Sequence, residues 1–240
     1  MENPLSARSI TVLCLILILT AGFSYLQHEN LYRFYMGKYF KLTGETNVYM
    51  DKSKKLYSEG KHEELNEYIE TLITVYPENY KLKQIAGLNY IKLGKEIKGA
   101  ELFVSSLEGG VIEGRDLALV VRILFRNDHF GDVISFYDKG LMSGDVNMAF
   151  YYGASLYQGG RYKEAFERLN YAHKAGYTGY EINYYMGLCL EESGDLSRAV
   201  FFMERAYNEN RRDRDIKLSL IQVYRKAGRL KDAEVLFRTK

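Results

Sequence analysis

The side chains that could do chemistry in this chain are few and scattered. Its four histidines, His28, His62, His129 and His173, stand apart, and none has metal-ligand spacing to a Cys, an Asp or another His. The two cysteines, Cys14 and Cys189, lie in unlike surroundings and outline no disulfide framework. Cys189 falls between Leu188 and Leu190 in a helical pattern, which predicts a buried free thiol. Cys14 is a poor lipid acceptor, because Leu13 precedes it where a small residue is wanted and more apolar chain follows. The adjacent carboxylates Glu63-Glu64 and Glu191-Glu192 read as exposed helix-end charges. Gly109-Gly110 lacks the flanking strand and the Lys-Ser/Thr of a phosphate loop. Nowhere is a base set beside a nucleophile, so the chain is read as a non-enzyme with no cofactor and no metal.

Composition narrows the partners. Lys and Arg number 33 against 31 Asp and Glu, and a net charge of +2 gives no electrostatic case for nucleic acid. Prolines occur only at Pro4 and Pro77, so almost the whole length is free to be helical. Beyond a short tail, 1–8, residues 9–27 carry no charge, close to the ~20 residues a helix needs to span a bilayer. The segment 28–45 follows, with Tyr32, Phe34, Tyr35, Tyr39 and Phe40 among Arg33, Lys38 and Lys41, the composition of an interfacial belt. An uncleaved single-pass anchor is the leading expectation. A cleaved signal is the alternative, with small residues at Thr20, Gly22 and Ser24 in reach of a cleavage site, and a buried soluble helix is the third. The short N-terminal tail favours export of the rest of the chain, whereas the excess of basic residues after the segment favours the opposite orientation.

The elements that must position any site come from a period. Gly153 recurs as Gly187, Gly160 as Gly194 and Gly228, Ala165 as Ala199 and Ala233, and Ala172 as Ala206, each step 34 residues long. Followed backwards, the phase reaches Gly94 and Gly60, with Asp128 in the glycine's place between them and Gly160. The frame is 46–79, 80–113, 114–145, 146–179, 180–213 and 214–240. Within each unit the apolar residues follow helical spacing on either side of the glycine, so each predicts a helical hairpin. Gly87, Gly153 and Gly187 sit inside helices at a cost of about 1 kcal/mol each, which predicts backbones in close approach.

This pattern resembles the tetratricopeptide repeat (TPR) family. Gly153, Leu156, Gly160, Tyr162, Ala165, Leu169 and Ala172 stand in that family's motif positions, as do Gly187, Leu190, Gly194, Leu196, Ala199, Met203 and Ala206. Tyr224, Gly228, Leu230, Ala233 and Phe237 follow in the last unit. Gly87, Tyr90, Gly94 and Ala100, then Leu56, Gly60 and Pro77, carry the motif through the first two units. Unit 114–145 is the most divergent. The resemblance implies an all-α, right-handed superhelical solenoid of about six antiparallel helix hairpins behind one hydrophobic helix. Glycine-rich turns, Gly109-Gly110, Gly140 with Gly144, and Gly176 with Gly179, stand where the family has its proline. The last unit lacks the polar helix that often closes such arrays. Its outer face is therefore solvated by Lys231, Asp232, Glu234, Arg238 and Lys240 or covered by another molecule.

The resemblance also implies a concave groove lined by the first helix of each hairpin. Carried over, its positions give Arg115, Ala118, Arg122 and Phe125, then Asn147, Phe150, Ala154 and Tyr157, then Glu181, Tyr184, Leu188 and Glu191. Aromatic anchors with arginines suit an extended peptide or a helix. The family's chaperone-tail clamp is absent, since its positions hold Met50 and Lys54, Gln84 and Leu88, and Ala118 and Arg122. Tyr151-Tyr152 and Tyr184-Tyr185 invite carbohydrate or polyproline stacking, but the motif itself uses Tyr and they are read as structural. The expected function is a membrane-tethered scaffold that binds a protein or peptide partner, anchored through 9–27. A structural subunit of a larger assembly, or a secreted peptide- or glycan-binding module after signal cleavage, stands as the alternative.

Overall fold

A computed structural model describes residues 35, 38, 46–107, 114–139 and 145–239, with backbone alone at 114 and 115. The twelve helices among these residues are accompanied by no strand. The chain divides into two compact units, Met1–Gly110 and Val111–Lys240. The first holds α1 (Thr46–Ser58), α2 (His62–Val75), α3 (Tyr80–Lys92) and α4 (Glu96–Val104). The second holds α5 (Gly114–Arg126), α6 (Phe130–Asp138), α7 (Val146–Gln158), α8 (Tyr162–Lys174), α9 (Tyr180–Glu192), α10 (Leu196–Glu209), α11 (Arg214–Lys226) and α12 (Leu230–Arg238). The expected span 9–27 lies outside the described residues, as does 28–45 apart from Tyr35 and Lys38. Among the described residues no helix is long and apolar enough to cross a membrane.

Each hairpin turn repeats one device. Gly60, Gly94, Gly160, Gly194 and Gly228 have φ between 72° and 80°, the left-handed conformation that glycine adopts without a Cβ penalty. The residue after the glycine returns its N–H to the carbonyl five positions back: Lys61 to Leu56, Lys95 to Tyr90, Arg161 to Leu156, Asp195 to Leu190 and Arg229 to Tyr224, at 2.8–3.0 Å. This closes the helix C-terminus and satisfies carbonyls it would otherwise leave open. Asp128 takes the same conformation, with φ of 63°, and His129 closes the turn onto Leu124. Asp is among the few residues that tolerate it.

Two helices of a hairpin touch where side chains are smallest. A Cβ on Gly87 would stand 2.7 Å from the Gly99 carbonyl oxygen, and one on Gly99 would run into the Gly87 carbonyl. In the second unit the same contact is glycine against side chain, Gly153 on Leu169 and Gly187 on Met203. Around these contacts lie the buried layers. In the first unit Leu56, Leu65, Ile69 and Ala86 form one cluster and Tyr49, Met50, Leu72 and Leu82 another. In the second, Leu190, Ala199, Met203, Leu220, Tyr224 and Ala233 form a further one.

A polar tie joins neighbouring hairpins in both units. Tyr90 donates its hydroxyl to Glu70 at 2.7 Å, and Tyr224 donates to Glu204 at 2.8 Å. Lys98 covers the Tyr90 ring at 4.1 Å and Arg229 the Tyr224 ring at 4.6 Å, each also pairing with that glutamate. Buried Asn89 adds a second tie in the first unit. Its amide donates to the His62 carbonyl at 2.9 Å, which directs its oxygen to His62 Nδ1 and so places the imidazole proton there.

Candidate partner-binding face

In the second unit α5 packs on α7 and α7 on α9, so these first helices share one face. Rings from all three meet there. Phe125 lies 5.2 Å from Tyr151 and 6.4 Å from Phe150, centroid to centroid. Tyr185 is the hub, 6.4 Å from Phe125, 5.9 Å from Phe150, 5.8 Å from Tyr157 and 5.7 Å from Tyr184, edge-on to each. Such edge-to-face contacts are a favoured aromatic geometry. Tyr177, from the turn before α9, stacks on Phe150 at 4.4 Å.

The expected groove residues fare differently. Phe125, Tyr157 and Tyr184 are half-buried members of this cluster and Arg122 is exposed beside it. Phe150 belongs to the cluster but is only 4% exposed, so it supports the face from beneath. Glu191 is also buried, at 8%, and is paired with Lys226 at 2.8 Å, a cation on α11. Asn147 is exposed at the start of α7, where its N–H is taken by the Asp145 cap. The Arg115 side chain lies outside the described residues.

Tyr151, Tyr185 and Tyr177 complete the face, and the positional rule for the groove includes none of them. The tyrosine pairs divide their work: Tyr151 and Tyr185 are half-buried here, whereas Tyr152 is structural. Its ring stacks on Tyr137 at 3.8 Å, its hydroxyl reaches Asp138 and Glu164, and Arg168 lies over both rings.

Burial raises the pKa of every tyrosine on the face, and Tyr157 reaches about 12. Neighbouring charges modulate this. Arg122 and Arg126 oppose the rise at Tyr151, while Glu181 adds to it at Tyr177, Glu192 at Tyr157 and Asp215 with Asp213 at Tyr184. The arrangement is a hydroxyl-bearing aromatic surface with charge around it, suited to holding a ligand. Among the described residues no three His, Cys, Asp or Glu gather as metal ligands. The first unit has an open cleft of about 910 Å³ between α1 and the α2–α3 turn, with Asp51, Lys54, Glu78 and Lys81 of mixed charge in its wall. It gathers none of the expected groove residues.

Helix hairpins closed by left-handed turns and joined through small residues define a TPR-like repeat fold. Solved structures share it. YrrB, a TPR protein with an unusual peptide-binding site, matches at 14% identity and a TM-score of 0.59, over 76% of this chain and 95% of its own. A tetratricopeptide repeat protein from Parabacteroides merdae matches at 14% identity and a TM-score of 0.54, over 79% of this chain and 76% of its own. No protein-family model and no curated protein matches the sequence.

Proposed function

We propose that the chain is a membrane-tethered, non-enzymatic scaffold that holds a segment of another protein on the aromatic face of α5, α7 and α9. The observation that carries this is the Tyr185-centred cluster, half-buried rather than sealed, with Arg122 exposed at its edge. Tyrosine and arginine are enriched among the residues that dominate binding energetics, tyrosine because a large rigid ring carries a polar group at small entropy cost and arginine because its planar guanidinium directs several donors. The peptide-binding site of YrrB, a protein of like fold, supports a peptide as the ligand. The tether is read from the uncharged stretch 9–27 and the aromatic and basic residues after it, and the array is proposed to lie on the extracytoplasmic side although those basic residues favour the opposite orientation.

One observation favours a second reading, a structural subunit: Leu230, Val235 and Phe237 on α12 are each about two-thirds exposed (65–66%). Replacing Arg122, Phe125 and Tyr157 together by alanine separates the two. Crosslinking and pulldown from native membranes should lose the partner while the circular-dichroism melt stays cooperative. Retained assembly would refute the aromatic face and favour α12. Should the triple variant misfold, Arg122→Glu alone serves, since it alters only an exposed charge. Resistance to alkaline carbonate extraction, with Met1 or its neighbours still present on N-terminal sequencing, tests the anchor.

A further inference from the structure

Outside this face, the chain supplies its own cations to many of its rings. Lys52 covers Tyr68, Lys98 covers Tyr90, Arg168 covers Tyr137 and Tyr152, Arg198 covers Phe166, and Arg229 covers Tyr224, all within 4.1–5.8 Å. Among the described residues no lysine or arginine covers Tyr157, Tyr177, Tyr184 or Tyr185. Carboxylates lie near these same rings: Glu181, one helical turn from Tyr185, stands with Tyr177 against Gly179, Asp215 lies one turn from the Ser219 whose hydroxyl meets that of Tyr184 at 3.2 Å, and Glu192 shares a surface recess with Tyr162, which packs on Tyr157. Among the described residues none of these three carboxylates has a salt-bridge partner, although Lys226, which holds Glu191 at 2.8 Å, also acts on Glu192. At the α5 edge the charge is basic, since Arg122 and Arg126 act on Tyr151.

A tyrosine face attracts a cation through its ring quadrupole, and an adjacent carboxylate strengthens the same preference. Resting on the reading of this face as a partner site, we propose that its occupant is a basic peptide segment, setting Lys or Arg side chains against the rings of α7 and α9. The segment's cations lie over Tyr157 and Tyr184. At the α5 edge Arg122 repels them and selects a neutral or acidic residue. The acids thus choose the ligand's charge and the rings supply the contact area.

The test uses the full-length chain in nonionic detergent and three fluorescent peptides of one length: glycine-serine chains bearing several arginines, several glutamates, or several prolines without charge. The arginine peptide should bind most tightly by anisotropy and weaken with salt. Glu181→Gln/Glu192→Gln/Asp215→Asn, which removes charge without removing rings, should weaken it about tenfold, as expected for three partly exposed charges. Equal or tighter binding of the glutamate or proline peptide, no measurable binding of the arginine peptide, or no effect of the charge-removing variant would each overturn the proposal. Arginine-peptide binding that survives Tyr157→Ala/Tyr184→Ala also overturns it, because the cations then bind elsewhere. Failure of the underlying reading is distinguishable: there the native partner stays bound when Arg122, Phe125 and Tyr157 are replaced.

Discussion

Gly87→Ala and Gly187→Ala look alike in sequence, and their structures predict different outcomes. Both sit within first helices, where alanine is better than glycine by about 1 kcal/mol. The gain is offset by what the new Cβ meets. At Gly187 it meets Met203, with Cγ at 2.8 Å and Sδ and Cε at 3.2 Å, an unbranched side chain that can turn aside. At Gly87 it meets backbone, the Gly99 carbonyl at 2.7 Å and the Phe103 nitrogen at 3.0 Å, which moves only if α4 moves. Overpacking a rigid contact costs about 1–3 kcal/mol. Gly87→Ala should therefore lose about 1–2 kcal/mol net and several degrees of Tm, while Gly187→Ala stays within about 1 kcal/mol of the parent. Gly187→Leu, too large for Met203 to yield to, should fall with Gly87→Ala.

Since Gly87 and Gly99 face each other, either substitution pushes the same two helices apart. Gly87→Ala/Gly99→Ala should then cost less than the two losses combined, the signature of coupled neighbours. Far-UV circular dichroism during thermal and urea unfolding reads all of this, and the chain has no tryptophan to complicate the choice. A Gly87→Ala protein that melts at or above the parent, with Gly187→Ala the weaker of the pair, would refute close helix approach as the reason for these glycines.

Asp128→Ile should destabilise by roughly 1–2 kcal/mol, because a β-branched residue fits the left-handed conformation badly, whereas Asp128→Asn should be nearly neutral; urea midpoints compare them. Burial holds Cys189 up at about 12, so in a Cys14→Ser chain it should resist a thiol reagent at pH 8 until the protein is unfolded. Tyr152, raised by burial and then by Asp138, and Tyr157, raised by burial and then by Glu192, both stand near 12 against about 10 in the unfolded chain. Their contribution to stability is complete below about pH 10 and declines as the pH rises towards 12, since there only the folded state keeps the protons. Ultraviolet titration should therefore show late tyrosine ionisation coinciding with loss of helix; full ionisation near pH 10 with helix intact would refute it.

The fold was legible where one residue type answers one backbone demand. Left-handed glycines at Gly60, Gly94, Gly160, Gly194 and Gly228 recur because each closes a helix the same way, and Asp128 keeps the phase through the most divergent hairpin. Gly99 was less visible, because the motif's small residue falls on its neighbour Ala100, whereas Gly99 is the one that meets Gly87 across the hairpin. The ties from Tyr90 to Glu70 and from Tyr224 to Glu204 were also hidden. They join different hairpins over twenty residues, and each needs a cation above the ring that periodicity does not specify.

For the site, sequence position indicated which side of a helix a residue occupies and left open how deeply it lies. Phe150 and Tyr157 are both assigned to the groove by the same rule, yet Tyr177 stacks on Phe150 and covers it, while Tyr157 stays half-buried. Tyr177 holds the slot where the family's turn proline stands, so losing that proline brings an aromatic ring into the face from outside the first helices. Tyr151 and Tyr185 came with neighbours that obscured them, since each belongs to a tyrosine pair that a structural role could explain. The pairs separate only once packing is known: Tyr152 is sealed by Tyr137, and Tyr185 is surrounded by rings from α5, α7 and α9. Charge then separates the rings again, because Tyr90 and Tyr224 carry the chain's own Lys or Arg and, among the described residues, no such cation lies over Tyr157, Tyr177, Tyr184 or Tyr185. On the basic-peptide proposal, the partner supplies the cation that these rings lack.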